Sequence, residues 1–268
     1  MDQNDADDVV SRALCAIALN EEQFLAGMLE SVAGLVDEIV LGIDSRTTDA
    51  TMDIARAHGA RVFTFDWHDS FASPLNLALD LARSAWLLRL DADERLLPAG
   101  RTAISEVLAL GVPLHVDAFY TLMVETDLDG EPLGPPERSA ARLFRNTPDL
   151  RYVGRIHEEI RYVPDPPQTY NAMLDGGPHI VHLGAAPEVL EQRGKRARDR
   201  HLLHLRLCDD PDDAVALCYL ALMAHAEGRH RAAYALAKRA LDCGPRTLHD
   251  DRVVQLKALL CVAGMFHA

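Results

Sequence analysis

Residues 13–19, Ala-Leu-Cys-Ala-Ile-Ala-Leu, make an unbroken apolar run, the pattern of a strand covered on both faces. Similar runs recur at 39–43, 62–65 and 86–90, and the stretches between them change period. Phe24, Leu25, Met28, Leu29 and Val32 recur at helical spacing, as do Leu77, Ala78, Leu81 and Ala82. Asn20 is placed to cap the first helix, with Glu21 and Glu22 favourable in its first turn. A second helix runs to Ala57 or His58 and stops at Gly59, and Ser73-Pro74 opens the third. Four strands alternating with three helices predict right-handed crossovers and an α/β, Rossmann-like, mainly parallel sheet with helices on both faces.

Beyond a helix at about 98–110, opened by Pro98, the texture changes. A strand is expected at 118–124, ending in the turn Asp127-Leu128-Asp129-Gly130. Ala141–Phe144 resumes a strand, Tyr152–Ile160 and a proline-rich loop follow, and His179–Gly184 closes this mixed half. From residue 187 the chain reads as a small all-α region. Leu220, Gly228, Ala233, Ala240 and Pro245 have the offsets of a tetratricopeptide-like hairpin, flanked by helices at 188–207 and 248–264. The expected division is 1–186, with halves at about 10–110 and 111–186, followed by a helical appendix at 187–268.

The candidate chemistry lies where the strands end. In open α/β sheets ligands bind outside the carboxyl ends of the strands. Those ends carry Asn20, Asp44, Asp66 and the pair Asp91 and Asp93, which converge without being sequence neighbours. If Trp86–Glu94 stays extended, Asp91 and Asp93 point to one side roughly 7 Å apart. Hard carboxylate oxygens there suit Mg²⁺ or Mn²⁺ carrying a phosphate. Capping of the following helix is the alternative use of these acids.

Charge and cysteine usage narrow the rest. With 27 Lys+Arg against 41 Asp+Glu the net charge is -14, which argues against nucleic-acid or anionic-membrane binding. The five scattered cysteines include no paired CxxC, and the start of the chain lacks a secretory pattern; reduced thiols and a cytoplasmic location are expected. No apolar run spans a bilayer. P-loop, dinucleotide, nucleophile-elbow and paired-cysteine zinc motifs are missing.

Five ordered segments carry a family resemblance: Ile17-Ala18-Leu19-Asn20-Glu21-Glu22, Asp44–Thr51, Asp69–Asn76, Leu90-Asp91-Ala92-Asp93-Glu94 and Gly154-Arg155-Ile156-His157-Glu158. Together they resemble the family 2 glycosyltransferases, in the bacterial branch whose GT-A domain is followed by tetratricopeptide-like helices. The resemblance implies inverting transfer of a sugar from a nucleotide diphosphate, most readily a UDP-sugar, to an acceptor it does not identify. It places Asp44 at the base or ribose, Asp91 at the ribose and diphosphate and Asp93 on the metal. Asn20, Glu22, Arg46 and Asn76 fall at the nucleotide sugar. Asp91 and His182 are further candidate ligands for the Mn²⁺ or Mg²⁺. Glu158 is the first choice of catalytic base, with His157 orienting it or touching the donor. The helical appendix offers a surface for a homodimer.

The sequence also departs from the family pattern. Leu19 and Leu75 stand where a lysine and an arginine are usual, and Arg46 and Ala50 replace two glycines of the second-strand turn. Arg46, Arg89 or Arg142 is expected to restore the missing positive charge. Two other readings follow: a sugar nucleotidyltransferase, and a weak or inactive nucleotide-binding scaffold acting through its C-terminal helices.

Overall fold

The computed structural model describes residues 10–163, 170–184, 186, 189, 195–243 and 250–264. They fall into two compact units, one of Met1–Val153 with Glu158–Arg193, the other of Gly154–His157 with Gly194–Ala268.

In the first unit the apolar runs become parallel strands β1 (Arg12–Ala18), β2 (Glu38–Asp44), β3 (Arg61–Phe65) and β4 (Trp86–Arg89), in the order β3-β2-β1-β4. Helices α1 (Leu25–Ser31), α2 (Thr51–Ala57) and α3 (Ala72–Leu81) supply the crossovers. The side chains of β1 alternate between two cores. Leu14 and Ala16 join Leu41, Ile43 and Leu88 beneath Met28 and Leu29 of α1. Ala13 and Cys15 join Val40 and Leu87 beneath Leu75, Ala78 and Leu79 of α3. Coverage of both faces explains why the strands read as apolar runs rather than alternating ones. No disulfide joins any of the five cysteines, which all lie among the described residues, and burial pushes the Cys15 thiol up to about 12.

Two expected helix starts are corrected. Asn20 does not cap α1: it takes φ 53, and Phe24, without a side-chain cap bond, holds the N-cap position. Ser73 is likewise inside α3, whose N-cap is Phe71, while Ser70 Oγ accepts from Ser73 N at 3.3 Å. Pro74 is tolerated there because first-turn amides have no helical acceptor. Helix α4 (Pro98–Ala109) does open on Pro98.

The sheet continues from β4 as β7-β6-β11-β5, through β5 (Glu94–Leu96), β6 (Val116–Glu125), β7 (Glu137–Arg145) and β11 (Ile180–His182), with β10 (Tyr170–Met173) also pairing β6. Strands β8 (Leu150–Val153) and β9 (Glu159–Tyr162) form a separate antiparallel pair. The turn after β6 forms as expected, with Gly130 at φ 89 and Asp127 Oδ1 accepting from the Asp129 and Glu131 amides. The short strands β5 and β10 were not expected. Strand β5 matters for the site, because its antiparallel pairing with β11 sets His182 opposite Glu94.

The second unit is helical: α5 (Lys195–Asp209), α6 (Ala214–Ala226), α7 (His230–Cys243) and α8 (Asp250–Gly264). Asp213 caps α6, accepting from Ala216 N at 2.9 Å. Ala221 and Ala224 pack with Ala233, Ala237 and Ala240, small residues that let α6 and α7 approach closely, and Gly228 turns between them at φ 72. Leu256 and Leu259 of α8 complete this core. Pro245 and the start of the expected 188–207 helix lie outside the described residues, apart from Val189. Among the described residues no helix is long and apolar enough to cross a membrane.

Candidate active site

The carboxyl ends of β1 and β2 are joined by a polar latch. Asn20 Oδ1 accepts from Thr48 N at 2.8 Å, and Glu22 Oε2 accepts from Ala50 N at 3.0 Å. Glu22 N donates to Asp49 Oδ2 at 3.0 Å, and Glu21 N donates to Thr51 Oγ1 at 2.7 Å. Asn20 and Glu22 therefore fix the loop after β2 through these groups. Asn76 is used similarly: its Nδ2 donates to Tyr152 O at 3.0 Å and its Oδ1 accepts from Tyr152 N at 2.8 Å.

Asp44, the last residue of β2, is buried and accepts from Arg46 three times: from N at 3.0 Å, Nε at 2.9 Å and Nη2 at 2.6 Å. Burial would raise its carboxyl, but the Arg46 bonds outweigh that and hold it below the usual carboxylate range. Arg46 itself is half-exposed and lies 5.7 Å over the Trp67 ring. Of the two positions that lack a basic residue, Leu75 is fully buried and Leu19 is 38% exposed.

After β4 the chain does not stay extended. Strand β4 ends at Arg89, and Glu94 N closes a turn on Asp91 O at 3.0 Å. This corrects the expectation that Asp91 and Asp93 line one side of a strand. The cause is Glu94: its buried carboxylate accepts from Asp91 N at 2.9 Å through Oε2 and from Arg142 Nη2 through Oε1. The two aspartates consequently meet different partners. Asp91 Oδ2 accepts from Arg89 Nη1 at 2.5 Å and lies 3.7 Å from Arg142 Nη2. Asp93 is buried, with its Oδ1 3.7 Å from His182 Nε2.

The charges of this turn set one another. Burial alone would raise Asp91, yet Arg89 and Arg142 hold it below the usual range. For Glu94 burial prevails over the Arg142 charge and its carboxyl is raised. Burial would lower His182, but the bond to Asp93 and the charges of Asp93, Glu94 and Asp91 raise it. A Cβ built on Gly184 would come 2.0 Å from Asp93 Oδ2 and 2.8 Å from His182 Nε2. Only glycine leaves room for those two donors there.

Glu158 reaches the same cluster: its Oε1 accepts from Arg89 Nη2 at 3.1 Å. Burial raises its carboxyl despite the opposing Arg89 charge. Tyr152 is buried among these charges, and its hydroxyl has no hydrogen-bond partner among the described residues. The preceding residue, His157, belongs to the helical unit. Its ring stacks on Tyr219 at 3.4 Å, and burial with the nearby Arg206 charge lowers it to about 3, so it stays neutral. The structure thus brings Asp91, Asp93, Glu158 and His182 into one charged network, while Asn20, Glu22 and Asn76 are engaged with backbone. Sequence reading missed the bracing roles of Glu94, Arg142 and Gly184. The available signal was arginine placed within otherwise apolar strands, where an unpaired charge is rarely tolerated.

A sheet ordered β3-β2-β1-β4 with acidic strand ends, extended by an antiparallel half, is a GT-A type fold. Residues 14–101 match the family model described as Glycosyl transferase family 2. A TPR repeat-containing protein of Synechococcus elongatus is 32% identical over 236 residues, 87% of this chain and 57% of that protein. The glycosyltransferase SunS of Bacillus subtilis is 22% identical over 91% of this chain and 56% of its own length. The chain therefore spans little more than half of either relative. Among solved structures, S. aureus TarS 1-349 superposes with a TM-score of 0.51 at 14% identity, covering 93% of this chain and 83% of that one, a likeness of fold.

Proposed function

We propose that this protein is a metal-dependent, inverting glycosyltransferase that moves a sugar from a nucleotide diphosphate, most readily a UDP-sugar, to an acceptor. The reading rests on the gathering of Asp91, Asp93, Glu158 and His182 from distant segments around one strand end. Asp44 takes the base or ribose side once Arg46 yields its carboxylate, and Asp91 takes the ribose and diphosphate side. Among the described residues no cluster of three or more candidate ligands occurs. Asp93 and His182 form a two-donor set in the space left by Gly184, which fits Mn²⁺ or Mg²⁺ provided the diphosphate completes the shell. Such an ion would supply charge neutralisation for the departing diphosphate.

Glu158 takes the proton of the acceptor hydroxyl as the new glycosidic bond forms. Its raised carboxyl suits that role, because a base works best when its pKa approaches the operating pH. Residues 10–110 form the nucleotide-sugar half, 111–186 the acceptor half, and the helices a tetratricopeptide-like appendix that offers a dimer surface. The SunS relative, itself named a glycosyltransferase, is consistent with this reading. Calorimetric titration of UDP with and without Mn²⁺, on the wild type and on Asp93→Ala, tests it. Binding that requires both the ion and Asp93 is expected. Binding of UDP indifferent to both would leave the scaffold reading, which the loss of basic groups at Leu19 and Leu75 favours.

A further inference from the structure

One guanidinium in this site serves two carboxylates that are far apart in sequence. Arg89 ends β4 after Trp86, Leu87 and Leu88, and like them it is buried. Its Nη1 donates to Asp91 Oδ2 at 2.5 Å and its Nη2 to Glu158 Oε1 at 3.1 Å. The neighbouring charged and titratable groups are Glu94 beside the turn, Arg142 on β7 and Tyr152 on β8. Arg142 hydrogen-bonds Glu94 and lies 3.7 Å from Asp91, while among the described residues Arg89 alone hydrogen-bonds both Asp91 and Glu158.

We propose that Arg89 is a positioning residue of the transfer reaction, fixing the carboxylate assigned to the donor and the carboxylate assigned to the acceptor proton at one separation. This rests on the reading of Glu158 as the base. The planar fork is what makes the bridge possible, because its two terminal nitrogens point in fixed, different directions; a single ammonium presents one charge centre. Proper spacing of a base from the reacting centre is itself a large part of catalysis. The donor and acceptor sides of the site are thereby coupled through one side chain.

A double-mutant cycle tests the coupling, with water as the acceptor: hydrolysis of a UDP-hexose in Mn²⁺ by the full chain, and UDP affinity by calorimetry. Glu158→Gln is expected to lower kcat on the order of 100-fold with UDP affinity unchanged. Arg89→Met is expected to lower kcat comparably and to weaken UDP binding roughly tenfold, since it frees both carboxylates. In the Glu158→Gln background Arg89→Met should cost only its binding part, a non-additivity that marks groups acting as a unit. Arg89→Lys, the variant that keeps the charge, should restore UDP affinity more fully than kcat. Additive losses, or an Arg89→Met enzyme with wild-type kcat beside an inactive Glu158→Gln, would overturn the proposal and leave the base assignment standing. A Glu158→Gln enzyme at the wild-type rate, or a wild type without turnover, would remove the base assignment and this inference with it.

Discussion

Asp44 ends one parallel strand and Asp91 follows another of the same sheet, and each is held below the usual carboxylate range by an arginine two residues away. The arginines differ in where they live. The Arg46 side chain is 53% exposed and its partner Asp44 is 2% exposed; the Arg89 side chain is 7% exposed and its partner Asp91 is 39% exposed. At β2 the fixed element is the carboxylate, and the cation can swing into water at little cost. At β4 the fixed element is the cation, and the carboxylate faces out. The first arrangement suits a group that must be uncovered for a ligand, the second a group that must be presented to one. Exposed ion pairs contribute about 0–1 kcal/mol, whereas removing one member of a buried pair costs about 3–5 kcal/mol.

Four experiments would break or sharpen that contrast. Arg142→Met strands the buried Glu94 carboxylate, and urea unfolding should show a loss of about 3–5 kcal/mol. A loss below about 1 kcal/mol would mean that the β4 side is no more rigidly built than the β2 side. Gly184→Ala drives a methyl group against Asp93, and about 1–3 kcal/mol of stability should go with it. The more telling readout is calorimetric: the Mn²⁺-dependent part of UDP binding should vanish while the part seen without the ion persists. Arg46→Ala should change stability by less than about 1 kcal/mol. Its effect on UDP affinity decides whether Arg46 restores the missing positive charge, because unchanged affinity would rule that role out.

The smallest effect is in pH dependence, where Asp44 and Glu94 have opposite slopes. Asp44 is lowered in the folded state, so its contribution to stability is present above the ordinary aspartate value and is lost as pH falls through the folded one. Glu94 is raised, so the folded state holds its proton more tightly. Its contribution is present below the ordinary glutamate value and is lost as pH rises through the raised one. Stability measured from pH 3 to pH 8 should lose the first slope in Arg46→Ala and the second in Glu94→Gln.

Much of this architecture is legible in the chain. The four parallel strands are readable because covering both faces forces apolar residues at consecutive positions, and Gly59, Pro98 and Gly130 mark turns by backbone geometry alone. Helix starts were less readable. Asn20 and Ser73 are the residue types that cap helices, yet Asn20 found a stronger use at Thr48 N and α3 had already begun at Phe71. The acidic motif was visible and its shape was not, because the turn at Asp91 depends on Glu94 being pinned by Arg142 from another strand. Long-range bonds of that kind leave only the arginine within an apolar strand as a trace, and nothing local names its partner. The same holds for β5, three residues whose identity as a strand comes from β11.

The pairing of β5 with β11 also has an entropic side. Asp93 and His182 are far apart in sequence, and their contact depends on β11 pairing with both β5 and β6, so making it closes a long stretch of chain at an entropic cost. The Asp93–His182 contact is therefore a signature that the far half of the sheet has closed on β5.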